Sequence, residues 1–254
     1  METINACELE QATKEMGAFK RIINIFMEPS KVFKSVAQKP KVLIPIIFII
    51  LGFILLAVPK VSLMEEYTRQ TYEKLYGSEQ FMKTQKITKE QANASIEQTV
   101  GFSKIMTFVG PFFILIMILI QTLVFFGLFK LLKGAGTFMQ TFAVLTYSYL
   151  ISLLGEVVRT INVIISGNVE VTNSLALLIP SDKTNYLFNF LNGLDLFGLW
   201  AFLVAALGLS VVHKVSSKKA YVWVMLLCIV FVAISAAITT LQAVNMYKQF
   251  GITL

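Results

Sequence analysis

The sequence predicts an all-α, polytopic membrane protein with five transmembrane helices and a small helical hairpin outside the membrane. Composition and the arrangement of apolar residues predict this class. Of the 254 residues, 56% are hydrophobic and 15% are charged, whereas soluble domains carry about 25% charged residues. The apolar residues gather in long runs, and about 20 residues suffice for a helix to cross a bilayer.

The runs divide the chain into nine segments. The five predicted spans are 42–58, 105–129, 137–166, 191–213 and 221–245. Around them we expect a cytoplasmic amphipathic segment at 1–41, an extracytoplasmic helical loop at 59–104, an extracytoplasmic loop at 167–190 and an extracytoplasmic tail at 246–254.

The segment before the first span has the pattern of short amphipathic helices. Phe19, Ile22, Ile23 and Phe26 share one helical face, with basic residues beside them. Two alternatives remain open. The helices either lie in the head-group region of the inner leaflet or pack on the bundle as cytoplasmic helices.

The loop at 59–104 predicts helices that adjoin the first two spans. Thr88 followed three residues later by Gln91 is a capping box, which should begin a helix running into the second span. Another helix is expected directly after the first span. Within the second span, Gly110-Pro111 should bend or restart the helix.

Positive charge predicts the orientation. Seven bases fall in 1–41, Lys130 and Lys133 follow the second span, and Lys214, Lys218 and Lys219 follow the fourth. Bases concentrate on the cytoplasmic side of membrane proteins. We therefore expect a plasma-membrane protein with its N-terminus in the cytoplasm, its C-terminus outside, and anionic lipids at the cytoplasmic face. No nucleic-acid partner is indicated, because the bases are scattered between spans.

The third span carries a polar face. Its members recur at steps of three or four, which places them on one side of a helix: Ser148, Ser152, Glu156, Arg159, Asn162 and Ser166. A charge in a span costs about 2.5–3.5 kcal/mol, so these side chains should face inward and pair. Arg159 has two candidate partners, Glu156 on its own helix and Asp195 on the fourth span. The face is either a structural clasp or a cavity open to the outside.

Small residues on the fourth span predict close helix packing. They follow Asp195 at helical spacing: Gly198, Ala201, Ala205 and Gly208. Such residues let a neighbouring helix approach closely in lipid.

Catalytic and cofactor motifs are missing from the sequence. It contains no His-Glu-x-x-His, no Gly-x-Ser-x-Gly and no phosphate-binding glycine loop. The single histidine, His213, stands beside lysines and is expected to be a loop cation. Cys7 and Cys228 suggest neither a disulfide framework nor a metal site. We expect no enzymatic activity, no cofactor and no metal.

Three stretches carry a recognisable pattern: 27–33, reading MEPSKVF; 133–142, reading KGAGTFMQTF; and 194–200, reading LDLFGLW. Together they resemble the bacterial branch of the Yip family. Eukaryotic members are five-span proteins of the early secretory pathway that interact with Rab-type GTPases, and bacterial members have mostly unassigned functions. The present chain has a shorter N-terminal tail and a longer external loop than the eukaryotic pattern.

The resemblance implies a membrane protein that acts through protein partners in the membrane, as an assembly, accessory or trafficking-like subunit. Homo-oligomerisation is compatible with the sequence. The alternative function is a small-molecule or ion permease or channel that uses the polar face of the third span.

Overall fold

The computed structural model describes residues 16–77 and 79–250, and within them every regular element is a helix. Five helical stretches are long and apolar enough to cross a membrane. The predicted all-α, five-span class is therefore confirmed. Residues 1–15 of the predicted amphipathic segment and 251–254 of the predicted tail lie outside the described residues.

The helices are numbered in chain order. They are α1 (Ala18–Met27), α2 (Pro29–Gln38), α3 (Leu43–Ala57), α4 (Val61–Tyr76), α5 (Glu79–Gln85), α6 (Lys89–Leu131), α7 (Phe138–Ser166), α8 (Tyr186–Gly193), α9 (Leu196–His213) and α10 (Ser217–Gln249). There are also two short 3-10 turns in the described residues. Val58–Lys60 joins α3 to α4, and Leu175–Leu178 lies between α7 and α8.

The third span, α7, lies at the centre of the bundle. Its apolar stretch is 67% buried, against 11% for the first span. It packs against α3, α6 and α9. The helix begins at a capping box, in which Thr137 Oγ1 accepts from Gln140 N and Gln140 Oε1 accepts from Thr137 N. It ends at Gly167, whose positive φ of 66° is a typical helix C-terminus.

The N-terminal helices α1 and α2 form a hairpin that packs lengthwise on the bundle. Gln140 Nε2 donates to Ala37 O at 2.6 Å, Phe33 contacts Gly208, and the Phe26 ring lies 6.3 Å from that of Trp200. Trp200 precedes the end of α9 by thirteen residues, about 20 Å along the axis. The hairpin therefore packs on the bundle beside the spans; its placement in the cytoplasm stays a prediction.

A buried arginine fixes this hairpin to the start of the first span. Arg21 is 1% exposed. Its Nη1 donates to Lys39 O at 2.8 Å and its Nη2 to Ser35 Oγ at 2.8 Å. Beside it, Tyr147 of α7 donates to Lys41 O at 3.1 Å. These bonds join α1 to α2, and both α1 and α7 to the segment before α3. The hairpin therefore belongs to the folded core.

The start of the fourth span and the continuity of the second span differ from the prediction. The fourth span begins at Leu196, and the residues before it form the separate helix α8 (Tyr186–Gly193). Asn185 caps α8 by accepting from Leu187 N at 2.8 Å. In addition, α6 does not restart at Pro111 but runs through it as one helix; a bend there stays a prediction. Its N-terminal capping box, Thr88 with Gln91, is present as predicted.

The helical loop outside the spans forms a stalk. In it α4 packs antiparallel to the first turns of α6, with Arg69 Nη2 donating to Glu97 Oε2 at 3.0 Å and Lys104 Nζ to Glu65 Oε1 at 3.2 Å. At the far end a small aromatic cluster joins the stalk to the end of α10; its rings are Tyr72, Tyr76, Phe81 and Phe250.

Candidate functional site

The polar face of α7 divides into a buried half and an exposed half. Ser148 is buried and Ser152 half-buried, whereas Asn162 and Ser166 are exposed near the helix end. Our expectation that all of these side chains face inward was wrong for the last two. Between the two halves lie Glu156 and Arg159, which form the centre of the candidate site.

Glu156 pairs with a lysine that sequence reasoning placed in the loop. Lys60, the last residue of the 3-10 turn after the first span, donates to Glu156 Oε1, and the two side chains are 11% and 19% exposed. Arg159 Nη1 lies 3.5 Å from the same oxygen. The cluster therefore holds two cations and one anion, with a net charge of +1.

Arg159 also ties the end of the third span to the following loop. Its Nε donates to Val171 O at 3.1 Å and its Nη2 to Val169 O at 3.2 Å. Backbone carbonyls thus take part of the guanidinium's hydrogen-bonding capacity, and Glu156 compensates part of its charge.

Asp195, the other expected partner of Arg159, has a different role. It is the N-cap of α9: Oδ1 accepts from Phe197 N at 3.0 Å and Oδ2 from Gly198 N at 2.8 Å. An acid at this position also interacts favourably with the helix dipole. The expectation that Asp195 compensates Arg159 was therefore wrong. An Asp directly before an apolar helix is a capping signal that we could have used.

A cavity of about 260 Å³ lies among the first three spans beside this cluster. Its charged rim is formed by Lys60, Glu156 and Arg159. Its wall is mainly apolar and includes Phe53, Ala57, Pro111, Ile114 and Val163. Met64, Arg159 and Val169 also line a second cavity of about 410 Å³ on the side of the loop. The two cavities adjoin through these shared residues.

A polar triad borders the second cavity. Tyr67 Oη and Lys183 Nζ each donate to Glu170 Oε1 at 2.5 Å, and Lys183 Nζ lies 3.1 Å from Tyr67 Oη. The hydrogen bond from Lys183, followed by that from Tyr67, holds the pKa of Glu170 below its ordinary value. No periodicity in the sequence relates these residues, because Tyr67 is separated from the other two by two spans.

The small residues of α9 do not share one role. Ala201 and Ala205 are buried, and a Cβ added to Gly208 would lie 2.6 Å from Val144 Cγ1 and 2.9 Å from the Phe33 ring. Gly208 therefore lies where α2, α7 and α9 meet closely. Gly198 instead donates its N–H to the Asp195 cap.

His213 is buried at the opposite end of the bundle, where it contacts the turn before α7. Our expectation of a loop cation was therefore wrong. It is 1% exposed, and its Nε2 lies 2.8 Å from Thr141 Oγ1. A Cβ on Gly134 or Gly136 would lie within 3 Å of its side chain. The two glycines in the turn before α7 were the available signal, since such residues often permit close approach.

The end of the bundle that contains His213 is strongly basic. No acid lies in the described residues of its two loops, 130–137 and 213–219. Five basic residues are exposed in its two loops and the adjoining helix turns: Lys130, Lys133, Lys214, Lys218 and Lys219. We call this surface the basic end.

In the part of the chain that the structure describes, no group of three or more His, Cys, Asp or Glu side chains could hold a metal ion. The family model of the Yip1 domain matches residues 23–238. No curated protein and no solved structure matches the chain. The match covers the first four spans, most of the fifth and most of the N-terminal hairpin, and it agrees with the resemblance of the three sequence stretches. The chain is thus a multi-pass membrane protein that belongs to the Yip1 family.

Proposed function

We propose that this protein has no enzymatic activity and acts through protein partners in the plasma membrane, as an assembly, accessory or trafficking-like subunit. In this proposal the basic end faces the cytoplasm and the stalk faces outward. The observation that carries the proposal is the basic end, where five exposed bases and no acid lie in the described loops 130–137 and 213–219. Such asymmetry supports this orientation and favours an acidic partner surface or anionic head groups.

The N-terminal hairpin offers an apolar contact surface. Phe19, Ile23 and Met27 recur every four residues along α1 and are 68%, 53% and 79% exposed. An apolar stripe with this spacing is suited to packing against a partner helix. We call it the α1 stripe. The charged groups of the candidate site, by contrast, contact one another and backbone carbonyls.

Co-purification from native membranes tests the proposal. We compare the wild-type protein with a variant of the α1 stripe, Phe19→Ala with Ile23→Ala and Met27→Ala. The matched control is Phe112→Ala with Ile116→Ala and Ile120→Ala, an exposed stripe of similar composition on α6. We expect a stoichiometric protein partner with the wild type and the control, and its loss with the α1 variant.

Two outcomes contradict the proposal: a wild-type protein that is recovered without a stoichiometric partner, and a partner that both variants retain equally. The alternative of a permease or channel is supported by the cavity at Arg159. It predicts solute flux into liposomes that contain the purified protein alone, and such flux in the absence of any partner would favour that function.

A further inference from the structure

The cavity beside Lys60 and Arg159 combines cationic groups with an apolar wall, in a part of the bundle close to lipid. We propose that it binds an oxyanion that carries an apolar chain, namely the phosphate of an anionic membrane lipid or the carboxylate of a free fatty acid. This inference does not depend on the proposed role with protein partners. It assigns a class of ligand to the cavity beside Lys60 and Arg159.

Hydrogen-bond donors remain at the rim of the cavity. An ammonium group has three N–H donors, and a guanidinium has five. Lys60 uses one on Glu156, and Arg159 uses one each on Val169 and Val171 and directs one towards Glu156. In the described structure the remaining N–H groups of both cations have no protein acceptor. They can donate to the oxygens of an anion.

The charge of the site selects for an anion. Lys60 and Arg159 carry two positive charges, and Glu156 compensates one. A bound monoanion would bring the cluster to neutrality, and the low exposure of the Lys60 and Glu156 side chains, 11% and 19%, strengthens the electrostatic interaction. A cationic ligand would instead add a third positive charge. Charge-assisted hydrogen bonds from arginine and lysine are also the strongest that a phosphate or carboxylate commonly receives in proteins.

The cavity is suited to a head group together with the first part of a chain. Its volume of about 260 Å³ is below the usual range of about 300–1,000 Å³ for sites that enclose a whole small molecule. The apolar wall includes Phe53 and Ile114, and on the same helices Leu55 and Phe113 are 70% and 52% exposed on the span surface. The rest of the chain can therefore stay in the bilayer.

Binding to the purified full-length protein tests the site. The probes are phosphatidylglycerol, oleate, zwitterionic phosphatidylcholine and inorganic phosphate, each titrated in a neutral detergent and counted by native mass spectrometry. We expect phosphatidylglycerol or oleate to bind at least tenfold more tightly than phosphatidylcholine, and inorganic phosphate to bind weakly because it lacks the apolar chain. If phosphatidylglycerol binds more tightly than oleate, the ligand is a phospholipid; if oleate binds more tightly, it is a free fatty acid. Equal affinity for phosphatidylcholine would overturn the proposal.

Two substitutions change the charge of the site in opposite directions. Arg159→Gln removes a cation and should weaken binding roughly tenfold or more, as expected for a lost charge-assisted hydrogen bond. Glu156→Gln removes the competing anion and should tighten binding. Arg69→Gln, in an ion pair of the stalk, is the matched control and should leave affinity unchanged.

The direction of the Glu156→Gln effect separates a ligand site from a purely structural clasp. Tighter binding supports the site, and weaker or unchanged binding overturns it. If Arg159→Gln does not yield a monodisperse protein, the Glu156→Gln measurement decides the question. If Arg159→Gln folds and binds phosphatidylglycerol and oleate as the wild type does, the proposal is also overturned.

Discussion

The ion pair between Lys60 and Glu156 should be energetically coupled, so that the double variant loses less stability than the sum of the two single changes. Removing one member of a buried pair typically costs about 3–5 kcal/mol. Here the side chains are 11% and 19% exposed, and Arg159 Nη1 lies 3.5 Å from the glutamate. Lys60→Met leaves Glu156 with this second cation, so we expect a loss of about 1–2 kcal/mol. Glu156→Leu leaves two cations together and should cost about 3 kcal/mol.

Arg159 and Asp195 should behave as independent residues. Asp195→Ala removes an N-cap that accepts two backbone hydrogen bonds, at 3.0 and 2.8 Å, which typically costs about 1 kcal/mol. Its effect should add to that of Arg159→Leu within about 0.5 kcal/mol. An ion pair between the two residues would instead make the double variant more stable than the sum of the single effects.

Thermal unfolding in a mild detergent measures both cycles. For a chain of this size, 1 kcal/mol corresponds to a shift of about 2–4 °C in Tm. The Lys60→Met and Glu156→Leu effects should be non-additive by about 1–3 kcal/mol. Additivity in this first cycle, or strong coupling between Arg159 and Asp195, would refute the assignment of partners.

Three further predictions concern packing, pH and orientation. Gly208→Ala should destabilise the bundle by about 1–3 kcal/mol through overpacking, whereas Gly127→Ala, where an added Cβ meets nothing within 4 Å, should not; equal melting temperatures would contradict this. Because the folded-state pKa of Glu170 is lowered from its ordinary 4.5, its stabilising contribution is present above that pH and is lost as pH falls through the lowered value. Glu170→Gln should therefore reduce the acid sensitivity of Tm, and unchanged acid sensitivity would contradict the role of the triad. In a chain without its native cysteines, Lys89→Cys should react with an impermeant reagent in intact cells and Ser216→Cys should not; the reverse pattern would invert the orientation.

The five spans could be predicted because they depend on local apolar composition, and the capping box at Thr88 because it depends on residues three apart. The partners in the candidate site could not be predicted in the same way. Glu156 and Lys60 are 96 residues apart, and only the packing of α3 against α7 brings them together. Glu156 and Arg159, three residues apart on one helix, were an accessible pair.

Two further differences had signals that sequence reasoning misinterpreted. Asp195 stands where an N-cap is expected, but the apolar run around it suggested an acid buried in a span. His213 is followed by Lys214, which suggested solvent, whereas Gly134 and Gly136 make room for the side chain. For Asp195 the neighbours in sequence indicated a buried apolar environment, whereas its carboxylate caps a helix. For His213 they indicated solvent, whereas its side chain is buried.

The stalk has a consequence for what the protein can reach beyond the bilayer. Helix α4 continues from the first span for sixteen residues, about 24 Å at 1.5 Å per residue. At its far end the Phe250 ring lies 4.4 Å from Phe81 and 5.1 Å from Tyr76, so the stalk that follows the first span is joined to the end of the fifth. A partner must therefore extend about 24 Å beyond the end of α3 to contact this junction.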